Sequence, residues 1–147
     1  MVEMDGAGMD NLLATMVHEY AHAMHEEMVE DMSVSPRWVA EALAQLVEHE
    51  IFPKVPPVYT EYPGEVHQGT VVAWSSLGKG EDPEAELAMY AQGHSMIQRL
   101  DNRFGREKVM RWIRELGIDG DLDRSSRVAF GQSWEKVEQD WMKCLAP

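Results

Sequence analysis

The sequence predicts a mainly α protein, one domain over residues 1–147 with at most a small strand pair. Three observations carry this expectation. Apolar residues recur at three- and four-residue steps through most of the chain. Helix-starting and helix-stopping residues bracket those segments. One short run, Thr70-Val71-Val72-Ala73-Trp74, has the composition of a strand, with Gly78-Lys79-Gly80 turning after it.

Taken in order, Met1 to Met9 is polar and without periodicity, a lead-in to the first helix. Asp10 is placed to cap a helix running to about Met28, with Leu13, Met16, Val17, Tyr20 and Met24 as its expected buried stripe. Ser35 and Pro36 start a second helix as cap and first helical residue, and Trp38, Val39, Ala42, Leu43, Leu46 and Val47 form its apolar face. Four prolines make Phe52 to Gly69 extended or irregular; Tyr62 and His67 there read as loop residues. Asp82-Pro83 opens a third helix reaching Phe104, closed by Gly105. Gly93 inside it costs about 1 kcal/mol relative to Ala and so signals close packing or a nearby ligand. A fourth helix runs from Arg106 to Leu116 with Gly117 as its stop. A short one ends at Phe130, and a last one carries Trp134, Val137, Trp141 and Leu145.

Of the residues, 44% are hydrophobic and 27% charged, with a formal net charge of −13. That balance argues against a polyanionic nucleic-acid partner. No apolar run approaches a membrane span, and the first residues lack a signal-peptide pattern. The lone Cys144 has no partner for an internal disulfide, so a cytoplasmic location is expected. Eleven methionines sit mostly at apolar helix positions and read as core filler. Asp119-Gly120-Asp121-Leu122-Asp123 is not a calcium loop, because Arg124 and Phe130 stand where Gly and Glu are required.

The chemistry lies in His18-Glu19-Tyr20-Ala21-His22, an H-E-x-x-H motif within the first helix. Residues four apart lie one above the other on a helix face, so His18 and His22 can close on one metal ion. Glu19 lies beside that face, where a carboxylate can take a proton from metal-bound water. The bland alternative is two surface histidines on an acidic helix.

Beyond His22, Trp38-Val39-Ala40-Glu41-Ala42-Leu43-Ala44 supplies a W-x-x-E-x-x-A pattern, with Glu41 nineteen residues after His22. Together the two motifs resemble the gluzincin branch of zinc metallopeptidases, and from Val17 to Leu145 the order of features resembles the peptidase-MA-like family. The resemblance implies a zincin-like domain with zinc (Zn2+) held by His18, His22 and Glu41. Its expected activity is peptide-bond hydrolysis on a peptide or protein substrate, with Glu19 activating the water. Ala42 stands where the family usually has Gly, a difference of one methyl group. His25 competes with Glu41 as third ligand, but it lies about 10.5 Å along the axis from His18, too far to converge readily. It reads instead as a solvated or supporting residue. Tyr90-Ala91-Gln92-Gly93 resembles the segment where aminopeptidase-type gluzincins place an oxyanion-binding Tyr, so Tyr90 is a candidate oxyanion donor. A core Tyr with a satisfied hydroxyl is the alternative, and His94 is a second candidate donor.

Zincins usually place a sheet before this helix, and nothing ahead of His18 reads as a strand. The chain is therefore either the later part of a longer protein or a minimal version of the fold. Three functions remain distinct: a metallopeptidase, a non-catalytic zinc-stabilised helical domain acting as a binding module, and a metal-free acidic interaction module.

Overall fold

The computed structural model describes residues 6–54, 66–79 and 82–147, and among these the protein is mainly α-helical. Among the described residues six helices follow one another: α1 (Gly6–Met28), α2 (Arg37–Ile51), α3 (Pro83–Phe104), α4 (Arg106–Asp119), α5 (Leu122–Phe130) and α6 (Trp134–Lys143). The described residues contain no strand, only a single parallel bridge between His67 and Ala146. No helix among them is long and apolar enough to cross a membrane.

Helix α2 is central, packed between α1 and α3, while α4, α5 and α6 close the far side in succession. Its expected apolar face is buried, from Trp38 and Val39 through Leu46, and Ala44, Gln45 and Glu48 are buried as well. A helix covered nearly all round is a core element. Its first helical residue is Arg37, so Pro36 holds the cap position expected of Ser35; a cap assignment one residue off is common at helix starts.

The core is built from aromatic rings. Trp38 meets Trp74 at 4.5 Å and Trp112 at 6.0 Å, and Trp112 stacks on Trp134 at 5.9 Å. Trp74 also approaches Trp141 at 5.3 Å and donates its indole N–H to Glu138. Five such side chains supply a large share of the buried apolar area. The close packing signalled by Gly93 is the crossing of α3 over α2: a Cβ there would lie 3.2 Å from the Trp38 carbonyl oxygen and 3.3 Å from its ring.

Four expectations change. No strand forms over Thr70–Trp74. A 3-10 turn spans Gln68–Thr70, and the Val72 N–H and C=O are both taken by the Gln92 amide at 2.9 Å, which replaces a neighbouring strand. Gly117 does not stop α4, which runs on to Gly120 in the left-handed region. A Cβ at Gly117 would overlap Val29 at 1.7 Å, so this glycine admits the α1–α2 connection, and its carbonyl accepts from Asp31 N–H at 3.0 Å. Helix α1 already includes Gly6, which places Asp10 inside it.

The fourth change concerns which side of α1 is buried. Leu13, Met16, Tyr20 and Met24, expected inside, are 38–66% exposed, whereas Ala14, Ala21 and His25 are buried. Small residues let α1 lie close on α2, and the bulky stripe is turned outward. The methionines divide the same way: Met89 and Met96 fill the core, while Met9, Met16 and Met24 are exposed. Tyr62 lies outside the described residues, and His67 is exposed beside its 3-10 turn.

Candidate metal centre

The α1–α2 hairpin brings the two halves of the sequence pattern together. His18 and His22 sit one turn apart on the α1 face toward α2, and Glu41 meets them from the second turn of α2. Trp38, one turn before Glu41, is 1% exposed and locked in the aromatic core, which fixes the rotation of α2 about its axis. The W-x-x-E spacing thus couples a core anchor to Glu41 in the His-His-Glu cluster.

Three atoms converge. His18 Nε2 and His22 Nε2 are 3.1 Å apart, and each lies 3.3 Å from Glu41 Oε2. A tetrahedral zinc with bonds of about 2.0–2.1 Å has ligand–ligand edges of about 3.3–3.4 Å, so this triangle has the size that such an ion requires. Two imidazole nitrogens and a carboxylate oxygen share a space in which one proton can satisfy only one pair at a time. A cation serves all three. His-His-Glu is an established zinc donor set with a fourth position left open. His25 is not part of this triangle.

The other nitrogen of His18 is held as well. Its Nδ1–H donates to Glu48 Oε2 at 3.0 Å, and Glu48 is 4% exposed. With that proton committed, the Nε2 lone pair of neutral His18 faces the ligand cluster, the arrangement by which a carboxylate behind a ligand His orients it and raises its basicity. The sequence reading overlooked Glu48. The signal was its position seven residues after Glu41, two turns along the same helix face.

The electrostatics follow from this crowding. The hydrogen bond that Glu41 accepts raises the His18 pKa, burial opposes it, and Glu48 adds to the rise. Burial alone would raise Glu41, but hydrogen bonds to His18 and His22 overcome it and hold the carboxylate at about 2.

His25 is 1% exposed, a correction to its reading as solvated: seven residues after His18, it continues the face that packs on α2. Neither of its ring nitrogens has a hydrogen-bond partner among the described residues, and burial, with the neighbouring His22, lowers its pKa to about 4. Glu19 is exposed on the same turn as His18, with no side-chain bond among the described residues. Tyr90 is buried on α3; the Arg37 pKa is raised chiefly by its hydrogen bond to Glu86, with smaller contributions from Tyr90 and Glu41. His94 is half-buried against His49, with ring centroids 6.3 Å apart.

No protein-family model matches the chain, and no solved structure matches it. The chain is similar to a Bacillus subtilis (strain 168) protein described as uncharacterized protein YhcO, at 25% identity over 132 residues. That match covers 87% of this chain and 39% of the Bacillus protein, so the chain spans well under half the length of this relative.

Proposed function

We propose that the protein is a zinc-dependent metallopeptidase of gluzincin type, with zinc held by His18, His22 and Glu41. The observation that carries this reading is the triangle of donor atoms at 3.1, 3.3 and 3.3 Å, built on an H-E-x-x-H helix. Zinc in such a site supplies a Lewis acid and lowers the pKa of a coordinated water to about 7.

The chain's own residues supply the rest. Glu48 keeps the His18 ring in one orientation and tautomer. Glu19, one residue after His18 and one turn before His22, has an exposed carboxylate able to accept a proton and pass it to the leaving amine of a peptide. Tyr90 would donate to the negative charge that develops on the attacked carbonyl oxygen, as a phenol neutral at pH 7 is suited to do. The substrate is a peptide or protein, and a cytoplasmic setting belongs to the same proposal.

One observation favours the second reading, a non-catalytic zinc-stabilised domain. No strand among the described residues lies where a peptide could add as a further strand, the usual way zincins hold substrate. Turnover of a mixed peptide library separates the two. The catalytic reading expects cleavage by zinc-loaded protein, lost in Glu19→Gln with zinc content unchanged. Full zinc occupancy with no cleavage favours the binding domain, and full activity in Glu19→Gln removes Glu19 from its role.

A further inference from the structure

We infer that α1 is also a self-association surface, pairing antiparallel with α1 of a second copy of this chain. The helix carries two stripes. The inner one, Ala14, His18, Ala21 and His25, in steps of four, three and four, faces α2. The outer one, Met9, Leu13, Met16, Tyr20 and Met24, in steps of four, three, four and four, is 44%, 38%, 59%, 66% and 51% exposed. The inner stripe is covered by α2, and the outer apolar stripe is left without a partner among the described residues.

Spacing selects the occupant. In an antiparallel pair whose two-fold axis passes between Met16 and Val17, facing residues have numbers that add to 33. Met9 then faces Met24, Leu13 faces Tyr20, and Met16 faces Val17. The outer stripe, with the half-buried Val17 at its edge, is therefore complementary to itself, as an isologous interface requires. Charge selects the direction. Asp10 falls opposite Ala23 and Glu27 opposite Gly6, whereas a parallel pair would set each carboxylate against its own copy in a chain of net charge −13. Antiparallel packing also brings the acidic C-terminal end of one helix to the positive end of the other's dipole.

The area suffices for association. At roughly 200–250 Å² for a fully exposed residue of this size, the outer stripe leaves about 600 Å² per chain. Two copies would bury about 1,200 Å², the lower end of the range for specific interfaces. Beside the stripe, a cavity of about 610 Å³ lined by Val17, Met24, Met28, Val47 and Met110 extends the apolar surface. Unbranched Met side chains of the partner are suited to fill it. The histidine face looks toward α2, so pairing leaves the metal centre open and the inference stands apart from the zinc reading.

Sedimentation equilibrium of the full chain tests it, with circular dichroism and zinc content followed in every variant. The wild type should be a dimer at tens of micromolar. Tyr20→Glu and Leu13→Lys, both at exposed positions, should each weaken dimerisation on the order of 100-fold while keeping helix content and zinc. Because residue 13 faces residue 20 of the partner, the double variant Leu13→Lys/Tyr20→Glu should regain dimer at low salt. A monomeric wild type, including the case in which a further part of a longer protein covers this face, overturns the inference. A dimer indifferent to Tyr20→Glu, or a double variant no more dimeric than the single ones, overturns it equally.

Discussion

The two sides of α2 are built from opposite materials. Toward α3, α4 and α6 it presents Trp38, Val39, Ala42 and Leu46 to a core that holds the other four tryptophans. Toward α1 it presents Glu41 and Glu48 to His18 and His22. The first side gains apolar burial at roughly 25 cal/mol per Å². The second removes ionisable groups from water, which costs stability unless each is paired. One helix carrying both lets the first side hold the second in place, so the aromatic core sets the geometry of the His18, His22 and Glu41 cluster.

The largest expected effect comes from cutting the first side. Trp38→Ala removes the ring that meets Trp74 and Trp112 and should cost about 3–5 kcal/mol, read as a lowered urea midpoint. Zinc binding should fall with it, because Glu41 loses its anchor one turn away. A variant with full stability would show that the aromatic core does not hold α2.

Cutting the second side should separate affinity from stability. Glu48→Gln weakens the acceptor behind His18 without changing size, so zinc affinity should drop 10–100-fold, the range for such supporting carboxylates. The urea midpoint should move far less than in Trp38→Ala. Competition with a zinc chelator measures the first quantity, and unchanged affinity would leave Glu48 with no part in orienting His18.

The sequence and structure agree most where packing is strong and local signals are unambiguous. Asp82 caps α3 by accepting from Glu84 N–H at 3.0 Å, Asp121 caps α5 through Arg124 N–H, and Ser133 caps α6 through Lys136 N–H. These contacts lie within three residues in sequence, which is why they can be read there. The buried side of α1 was not legible in the same way. Periodicity finds the bulky stripe of Leu13, Met16, Tyr20 and Met24, but close approach to α2 required the small stripe of Ala14 and Ala21. Glu41 was reached through a two-motif pattern. Glu48 and His25 carry the same information only once the partner helix is known, because a seven-residue spacing matters when two helices share a seam. Gly117 failed as a stop for a tertiary reason, the overlap with Val29.

Acid should weaken the fold by a smaller amount. Burial holds His25 and His94 at about 4, against 6.5 for the free side chain. Between pH 6.5 and 4 the unfolded chain binds protons that the folded chain refuses, so stability is complete above pH 6.5 and is lost as pH falls through that window. Each residue should cost on the order of 1–2 kcal/mol by pH 5. Urea melts from pH 7 to pH 5 should show this slope. His94→Gln should flatten it; an unchanged slope in His94→Gln would mean that His94 takes up its proton in the folded protein.

The most direct measurement is metal content by mass spectrometry on protein purified without chelator or polyhistidine tag. One zinc per chain in the wild type, lost in His22→Ala with helix content intact, is the expected result, because His22 supplies one corner of the donor triangle. A wild type that takes up no zinc when it is supplied, or a His22→Ala variant that keeps a full equivalent, would contradict the assignment of His18, His22 and Glu41 as the metal centre.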